Sequence, residues 1–336
     1  MTVNIGIIGA GRIGKVHADA LTRRIPAANV LAIADVYENA AQAAAHDYGI
    51  PQATGDYQAV LSNNDIDAVV ICSSTDTHSQ FITEAAQAGK QIFCEKPIDF
   101  DLGRIDAALS AVDQAGVLLQ IGFNRRFDPN HARVKQAVEH GEIGTPHLLH
   151  IISRDPAPPP IEYIKVSGGI FLDMTIHDFD MARFVVGAEV EEIYAAAGVM
   201  VDPAIGAAGD VDTAMITLKF ANGVIGVIDN SRQAVYGYDQ RLEVFGSKGS
   251  ASTGNWYPNV VTISDETSVH RDLPLNFFME RYTDSYVAEM VAFIDAIEQG
   301  KPTPVSGMEG RIPVVMGLAA RKSYDENRPV RLDEIN

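Results

Sequence analysis

The chain has 336 residues, 46% of them hydrophobic, and it carries a formal net charge of −18 at pH 7. This length and apolar content predict about two domains with sizeable cores. The acidic balance argues against nucleic acids and anionic membrane surfaces as partners, because both are polyanions that the protein would repel.

The cysteines and the apolar runs predict the compartment. Cys72 and Cys94 form no Cys-x-x-Cys pair and lie in apolar runs, as buried thiols in a reducing compartment do. No apolar run approaches the length of a membrane span, and the N-terminus leads into a predicted strand without a basic leader. We therefore expect a cytoplasmic protein that has no membrane partner.

The first predicted element is a strand that breaks at three glycines. Residues 3–14 read VNIGIIGAGRIG, with Gly9, Gly11 and Gly14 between an apolar run and a helical pattern. Such glycines permit a tight turn, a close backbone approach to a pyrophosphate, and close packing of the helix on the strand. The motif alone is weak evidence, since an ordinary glycine-rich turn looks the same. Its place between strand and helix predicts a dinucleotide site.

The next predicted strand, over residues 30–34, ends in Asp35. A carboxylate at that point accepts hydrogen bonds from ribose hydroxyls and repels a 2′-phosphate. No arginine follows at Val36 or Tyr37 to neutralise such a phosphate. The sequence therefore predicts NAD rather than NADP as the cofactor.

Helical segments then alternate with short apolar runs. The apolar runs over 68–72 and 91–94 are followed by polar residues, Ser73 to His78 after the first and Glu95-Lys96-Pro97 after the second. This rhythm predicts a parallel sheet with covering helices, whose ligands bind at the carboxyl ends of the strands.

The rhythm stops after a helix over 102–115 and a strand over 117–121. We therefore predict an α/β chain with an N-terminal doubly wound Rossmann domain over residues 1–121. A second domain then covers residues 122–336.

The second domain begins a different pattern, with longer strands. Asn222-Gly223 separates β-rich runs over 211–220 and 224–229, which predicts a hairpin. The second run is apolar at successive positions, so we expect helices on one face of its sheet and another subunit on the other. The sequence therefore predicts a homo-oligomer.

Asp173 and His177 are four residues apart, so a single helix would place them on one face. Oxidation of a secondary alcohol needs a base for the hydroxyl proton. Histidine titrates in the right range, and a carboxylate can fix its tautomer. Lys96 would stabilise the developing alkoxide.

Each of these residues also has a plainer interpretation. The Asp173–His177 pair could be a surface contact, which on spacing alone is the commoner case. Asp173, His177, Asp178 and Asp180 could bind a metal, but no further histidine or cysteine cluster completes a ligand set, so we predict none. Lys96 could be a solvated lysine beside a turn, and His78 a hydrogen-bonding residue of a loop.

Three motifs together resemble the glucose-fructose oxidoreductase and inositol dehydrogenase family of NAD(P)-dependent dehydrogenases. They are GAGRIG at 9–14, Glu95-Lys96-Pro97, and the Asp173-x-x-x-His177 segment, and the resemblance covers nearly the whole chain. It implies a C-terminal α+β domain with a large open, mostly antiparallel sheet, commonly used to build homotetramers. It also implies that the lysine touches cofactor and substrate, often beside a cis proline, and that the aspartate and histidine serve proton transfer.

The glycine turn and the strand ends together give the expected cofactor site. Its residues are Gly9, Gly11, Arg12, Ile13, Gly14, Asp35, Ser73, Thr75, His78, Glu95 and Lys96. Within the family, the segments most similar to inositol 2-dehydrogenases are 122–130, 153–156, 167–183 and 236–249. The likeness implies a polyol pocket lined by Lys96, Arg126, Asp155, Asp173, His177 and Tyr236.

The first hypothesis is therefore NAD-dependent oxidation of myo-inositol to its 2-keto product. His177 would be the base, Asp173 would orient it, and Lys96 would bridge cofactor and substrate. The same machinery acting on scyllo-inositol or an aldose is the second hypothesis. A non-catalytic dinucleotide-binding regulator is a rival from another class, because such folds can be reused as sensors.

Overall fold

The structure is a computed structural model that describes residues 2–335. Its strands are β1 (Val3–Ile8), β2 (Ala28–Ala34), β3 (Gln52–Thr54), β4 (Ala68–Ile71), β5 (Gln91–Glu95), β6 (Leu119–Gly122), β7 (Pro146–Arg154), β8 (Val190–Gly198), β9 (Thr213–Phe220), β10 (Ile225–Ser231), β11 (Asp239–Gly246), β12 (Gly249–Thr253), β13 (Thr262–Ser264), β14 (Val269–Arg271) and β15 (Val330–Arg331). Its α-helices are α1 (Arg12–Arg23), α2 (Glu38–Tyr48), α3 (Tyr57–Leu61), α4 (Thr75–Gln87), α5 (Leu102–Ala115), α6 (Pro129–Glu139), α7 (Ile161–Ile164), α8 (Gly169–Asp173), α9 (Ile176–Val186), α10 (Pro203–Ala207), α11 (Phe278–Gln299) and α12 (Gly307–Glu326).

The described chain divides into two compact units. The first runs to Phe127 and resumes over Asp284–Val314, and the second comprises Asp128–Thr283 and the residues from Val315 onward. In the span from residue 2 to residue 335, none of the helices combines the length and apolarity that crossing a bilayer requires.

The first unit contains a six-stranded sheet in the order β3-β2-β1-β4-β5-β6. Every neighbouring pair of its strands is parallel. The predicted doubly wound Rossmann sheet is thereby confirmed, and the short edge strand β3 adds an element that the sequence pattern did not reveal. Parallel pairing brings the carboxyl ends of β1, β2, β4 and β5 to one edge of the sheet, where ligands bind in such folds.

The return of the chain to the first unit has a hydrophobic cause. Met290, Phe293 and Ile294 on α11 are buried in the same core cluster as Ile5 and Ile7 of β1. Met290 and Phe293 are fully buried. The predicted second domain over residues 122–336 did not include this return. Helical spacing in a sequence shows that one face of a helix is apolar, but it does not show which sheet that face covers.

The second unit contains a seven-stranded sheet in the order β12-β11-β7-β10-β9-β8-β15. Only β7 and β10 pair in parallel, so the sheet is mixed and mostly antiparallel, as expected. The predicted hairpin is β9–β10, and Gly223 has the positive φ of +87° that its turn requires. Side chains alternate between a buried face and a face that exposes Leu148, Met215, Ile225 and Phe245.

Candidate functional site

The glycine turn between β1 and α1 forms a close-packed backbone cradle. A Cβ atom on Gly9 would lie 2.5 Å from the carbonyl oxygen of Cys72, and one on Gly14 would lie 2.0 Å from that of Gly9. A Cβ on Gly11 would meet no atom within 4 Å. Gly11 is the N-cap of α1 and supplies no side-chain cap, so the first amides of the helix remain available for an anion. These features fit a bound pyrophosphate.

Arg12 and Ile13 open α1 beside this cradle, with Arg12 exposed and Ile13 partly buried. Asp35 follows β2 directly and faces the same turn. Its Oδ2 accepts a hydrogen bond from the amide of Ala10 at 2.7 Å, and its Oδ1 accepts one from the amide of Tyr37 at 2.8 Å. The carboxylate is thus held by backbone amides at the edge of the cradle, where the ribose of a dinucleotide would lie.

His78 joins the carboxyl ends of β4 and β5. Its Nδ1 lies 2.8 Å from the carbonyl oxygen of Pro97, and its Nε2 lies 3.1 Å from that of Ser73. Burial lowers the pKa of His78, and a neutral imidazole donates to only one of these carbonyls at a time. The prediction of a loop position is wrong, because α4 begins at Thr75 and His78 lies in its first turn.

Ser73 and Thr75 also lie at this end of β4. The hydroxyl oxygen of Ser73 is 2.7 Å from that of Thr77, in the first turn of α4. Lys96 follows β5, is half-buried, and is joined to Pro97 by a cis peptide bond. The predicted cofactor residues of the first unit therefore all lie at the carboxyl ends of β1, β2, β4 and β5.

Glu95 belongs to a buried polar cluster that the sequence did not reveal. Its Oε1 lies 2.7 Å from Nε2 of His17 on α1, and one carboxylate oxygen of Glu289 on α11 completes a set of atoms within 4.8 Å of one another. Burial raises the pKa of Glu289 well above its ordinary value, and the charge of Glu95 adds to the effect.

These three are the only set of potential metal ligands among residues 2–335, and it does not include Asp173, His177, Asp178 or Asp180. The 2.7 Å between Nε2 of His17 and Oε1 of Glu95 is a hydrogen-bond distance. It is too short for two ligands of a tetrahedral metal with bonds of about 2.1 Å. A hydrogen bond between the two side chains accounts for the contact.

The spacing predicted that Asp173 and His177 lie on one helix, and this prediction is wrong. Asp173 ends α8 and His177 lies in the first turn of α9, with Met174 and Thr175 between the two helices. At the break, the amide of Thr175 donates to the carbonyl of Ile170, five residues earlier, instead of continuing the four-residue spacing of an α-helix. The two helices therefore present Asp173 and His177 from separate elements.

Asp173 is held by two groups of the second unit. Its Oδ1 accepts from the Tyr163 hydroxyl at 2.9 Å, and its Oδ2 accepts from the Arg232 guanidinium at 3.2 Å. Arg232 is only 1% exposed and also lies 3.6 Å from Oδ2 of Asp210. Asp210 in turn accepts the Ile170 amide at the start of α8, after Gly168 and Gly169 turn the chain with positive φ.

The remaining predicted pocket residues have separate surroundings. Arg126 lies in a 3₁₀ turn of the first unit and pairs with Glu309. Asp155 follows β7, where its amide donates to the Ser231 carbonyl at 2.9 Å and its carbonyl accepts from the Ala234 amide at 2.6 Å. Asp155 therefore lies beside the segment that carries Arg232.

Tyr236 belongs to another group of side chains. Its hydroxyl donates to Asp239 at 2.6 Å and accepts from Arg154 at 3.1 Å, and Arg154 also pairs with Asp229. Burial raises the pKa of Tyr236, and the bond to Asp239 raises it further. The structure thus groups Tyr236 with Asp239 and Arg154, and Asp173 with Tyr163 and Arg232.

The sequence analysis missed four buried polar residues that contact the predicted site residues or their neighbours. They are His17, Asn230, Arg232 and Glu289. A usable signal existed for two of them. Asn230 and Arg232 are polar residues at the carboxyl end of an apolar strand, the same pattern that identified Ser73 and Lys96. His17 and Glu289 lie inside amphipathic helices, where a buried polar residue has no distinct spacing.

Comparison with known proteins gives matches over nearly the whole chain. Residues 3–123 match the family model described as "Oxidoreductase family, NAD-binding Rossmann fold", and residues 131–252 match the GFO/IDH/MocA C-terminal domain. The myo-inositol 2-dehydrogenase of Thermotoga maritima is 50% identical over 333 residues, which are 99% of each chain. The inositol 2-dehydrogenase of Rhizobium meliloti is 48% identical over 99% of this chain and 100% of its own.

Solved structures agree with these matches. The scyllo-inositol dehydrogenase of Lactobacillus casei, solved with bound NAD(H) and scyllo-inositol, superposes with a TM-score of 0.93. It is 30% identical, and the alignment covers 99% of this chain and 100% of that one.

Proposed function

The chain belongs to the GFO/IDH/MocA family of NAD-binding oxidoreductases, and from that premise we propose that it oxidises myo-inositol at C2 with NAD. The observation that carries the proposal is the position of Asp173. Its carboxylate is held by Tyr163 and a buried arginine, four residues before His177, in a chain whose other unit carries the dinucleotide cradle. Two relatives, 50% and 48% identical to this chain, are named myo-inositol 2-dehydrogenase and inositol 2-dehydrogenase.

The cofactor side of the proposal rests on the first unit. The amides at the start of α1 would hold the pyrophosphate, and Asp35 would accept the ribose hydroxyls. When bound, the nicotinamide ring of NAD accepts a hydride from the substrate carbon. Asp35 has backbone amides as its hydrogen-bond partners and exposed Val36 and Tyr37 after it, which favours NAD over a cofactor with a 2′-phosphate.

The substrate side rests on charged and two-way hydrogen-bonding groups. A polyol ring presents several hydroxyls, and a site built to bind each of them rejects analogues that lack one. We propose that Lys96, Arg126, Asp155 and Tyr236 bind ring hydroxyls together with Asp173 and His177. Asp155 has the strongest support among the additional residues, because its backbone is bonded to the segment that carries Arg232.

His177 is the proposed base for the hydroxyl proton, and Lys96 the proposed cation beside the developing alkoxide. Asp173 is the proposed orienting group for His177 and, in addition, a proposed acceptor of hydrogen bonds from substrate hydroxyls. Because Tyr163 and Arg232 each bind one of its oxygens, the carboxylate has a fixed direction, which suits an acceptor of substrate hydroxyl hydrogen bonds.

The scyllo-inositol alternative has an observation in its favour. The Lactobacillus casei structure with scyllo-inositol matches this chain over its whole length. The two cyclitols differ at one carbon in the direction of the C–H bond. The stereochemistry at that carbon therefore distinguishes the two candidate substrates.

A panel of inositol stereoisomers and aldoses with NAD, followed by absorbance at 340 nm, tests the function. We expect the highest kcat/KM with myo-inositol, and a much lower value with NADP in place of NAD. Binding of NAD without reduction by any cyclitol or sugar would overturn the proposal in favour of a dinucleotide-binding regulator. A higher kcat/KM with scyllo-inositol would assign the second substrate.

We further propose that the protein acts as a cytoplasmic homotetramer. The open face of the seven-stranded sheet supports this assembly, because Leu148, Met215, Ile225 and Phe245 are each about half exposed there. Leu148 is paired with Ile225 on one side and with Phe245 on the other, so these three form a contiguous exposed apolar strip, which is typical of subunit interfaces. Sedimentation or light scattering on the purified protein would measure the assembly directly.

A further inference from the structure

The end of β10 holds the segment that carries Asp173 and His177. We name Asn230 and Arg232, with their contacts to residues 173–178, the β10 clamp. Asn230 is the next-to-last residue of β10, and Arg232 follows the strand. The amide of Arg232 donates to the carbonyl of Asp212 at 2.8 Å. Both side chains are buried, at 0% and 1% exposure.

Asn230 fixes the break between α8 and α9. Its Oδ1 accepts the hydroxyl proton of Thr175 at 2.5 Å, and its amide nitrogen donates to Oδ2 of Asp178 at 2.9 Å. Thr175 precedes α9 and Asp178 is in its first turn. The strand therefore sets where α9 begins, and with it the backbone position of His177.

Arg232 fixes the end of α8. Its guanidinium lies between Asp173 and Asp210, at 3.2 Å and 3.6 Å. Asp210 also accepts the Ile170 amide, so the same network holds both the start and the end of α8. A buried guanidinium has a planar, rigid set of donors, and a lysine cannot reproduce two such directions at once.

We propose that Arg232 is a positioning residue for the dehydrogenase reaction, acting through Asp173, and that Asn230 aligns His177 in the same way through Thr175 and Asp178. The inference rests on the proposed function. It extends the candidate site to a strand end whose residues follow Asp173 by more than fifty positions in the sequence. Misplacement of a reacting group by about 1 Å can reduce a rate about a hundredfold.

The first test is a double-mutant cycle on kinetics with Arg232→Lys and Asp173→Asn. We expect R232K to lower kcat about 10- to 100-fold and to leave the dissociation constant for NAD unchanged. In the D173N background the same change should cost little more, because the residue through which Arg232 acts is already altered. Equal losses in both backgrounds would overturn the proposal.

A deuterium isotope effect distinguishes positioning from a loss of folded protein. With substrate deuterated at the oxidised carbon, R232K should raise the isotope effect on kcat, since a misaligned hydride transfer becomes more rate-limiting. Arg281→Lys is the matched control, because Arg281 is also a buried arginine paired with an aspartate, Asp128, in the same unit. A change in the isotope effect with R281K, or none with R232K, would contradict the assignment.

The second test does not depend on the substrate. Urea unfolding of the same four proteins measures the coupling between positions 232 and 173. We expect coupling of about tenfold or more in the unfolding equilibrium constant, as is usual for contacting residues. Additive losses would remove the ion pair from the proposal. If the wild-type protein oxidises no polyol, the proposed function fails while this cycle still decides whether Arg232 and Asp173 act as a unit.

Discussion

The two units hold their important carboxylates in different ways. In the first unit, Asp35 is bound by two backbone amides, and Glu289 has no hydrogen-bond partner for either carboxylate oxygen among the described residues. In the second unit, Asp173 is bound by the buried guanidinium of Arg232, and Asp128 by that of Arg281. Backbone amides stabilise the carboxylate of Asp35, and a raised pKa favours the neutral form of Glu289. Buried guanidinium groups stabilise the two carboxylates of the second unit.

The difference corresponds to what each unit has to bind. A dinucleotide is itself anionic, and a protein of net charge −18 has to attract it by local features. The backbone amides at the start of α1 are such a feature, and Arg12 opens that helix. A neutral polyol brings no charge, so the second unit uses buried ion pairs, which fix the directions of its polar groups.

The largest expected effect separates chemistry from cofactor binding. His177→Ala should lower kcat about 10²- to 10⁴-fold, the usual contribution of a general base. The dissociation constant for NAD should stay within experimental error, because the cofactor cradle belongs to the other unit. Stopped-flow turnover and fluorescence titration with NADH would measure the two quantities.

The control for this variant is His46→Ala, which removes a histidine whose side chain is 91% exposed on α2 of the first unit. It should change neither quantity. If H177A weakened NAD binding as strongly as it lowers kcat, the histidine would be a structural residue. The assignment of cofactor binding to the first unit and of the base to the second would then be wrong.

A smaller effect is expected from a change in how the first unit holds its carboxylate. Asp35→Ser combined with Val36→Arg removes the charge that repels a 2′-phosphate and adds a donor for it. We expect the ratio of kcat/KM for NAD to that for NADP to fall about 10- to 100-fold, which corresponds to one or two charge-assisted hydrogen bonds. Val36 is 82% exposed, so an arginine there meets no packing obstacle.

Val36→Arg alone is the matched control, since it adds the arginine and keeps the carboxylate. It should shift the ratio less than the double change. An unchanged ratio of kcat/KM for NAD to that for NADP in the double variant would mean that the ribose is recognised elsewhere in the protein. Asp35 would then not be the residue that selects the cofactor.

Much of the first unit could be predicted because its signals are local. The glycine turn, Asp35 at the end of β2, and the order of strands and helices all follow from short segments of sequence. The clamp in the second unit could not be predicted in this way. A continuous helix from Gly169 to Val186 fits the sequence pattern equally well, and the break depends on Asn230, which is 55 residues beyond Thr175.

The same limit applies to the buried cluster of the first unit. His17, Glu95 and Glu289 come from α1, the end of β5 and α11, and only the folded chain brings them together. The return of residues 284–314 to the first unit places Glu289 in this cluster. The apolar face of α11 packs into the core of the first unit, and this packing also buries Glu289. The sequence pattern specifies only the apolar face.

The last prediction tests protonation as the means by which the first unit accommodates Glu289. Its pKa is raised in the folded state by burial and then by Glu95, so the folded protein keeps this proton at a pH where the unfolded chain, with an ordinary value of 4.5, has released it. The contribution of Glu289 to stability is therefore fully present below that value and is lost as pH rises toward the folded-state pKa. Glu289→Gln removes the titration and should remove the loss, so the variant should gain stability relative to wild type as pH rises from the acid end of the window to the alkaline end.

Urea unfolding at a series of pH values would measure this difference. Glu298→Gln is the matched control, because it removes the same charge from an exposed position of α11. His17, Glu95 and Cys72 are titratable groups near Glu289, and all three are unchanged in both variants. Parallel stability curves for wild type and E289Q would mean that Glu289 is not held as a neutral acid, and a cation, rather than a proton, would then have to balance the cluster as Arg232 balances Asp173.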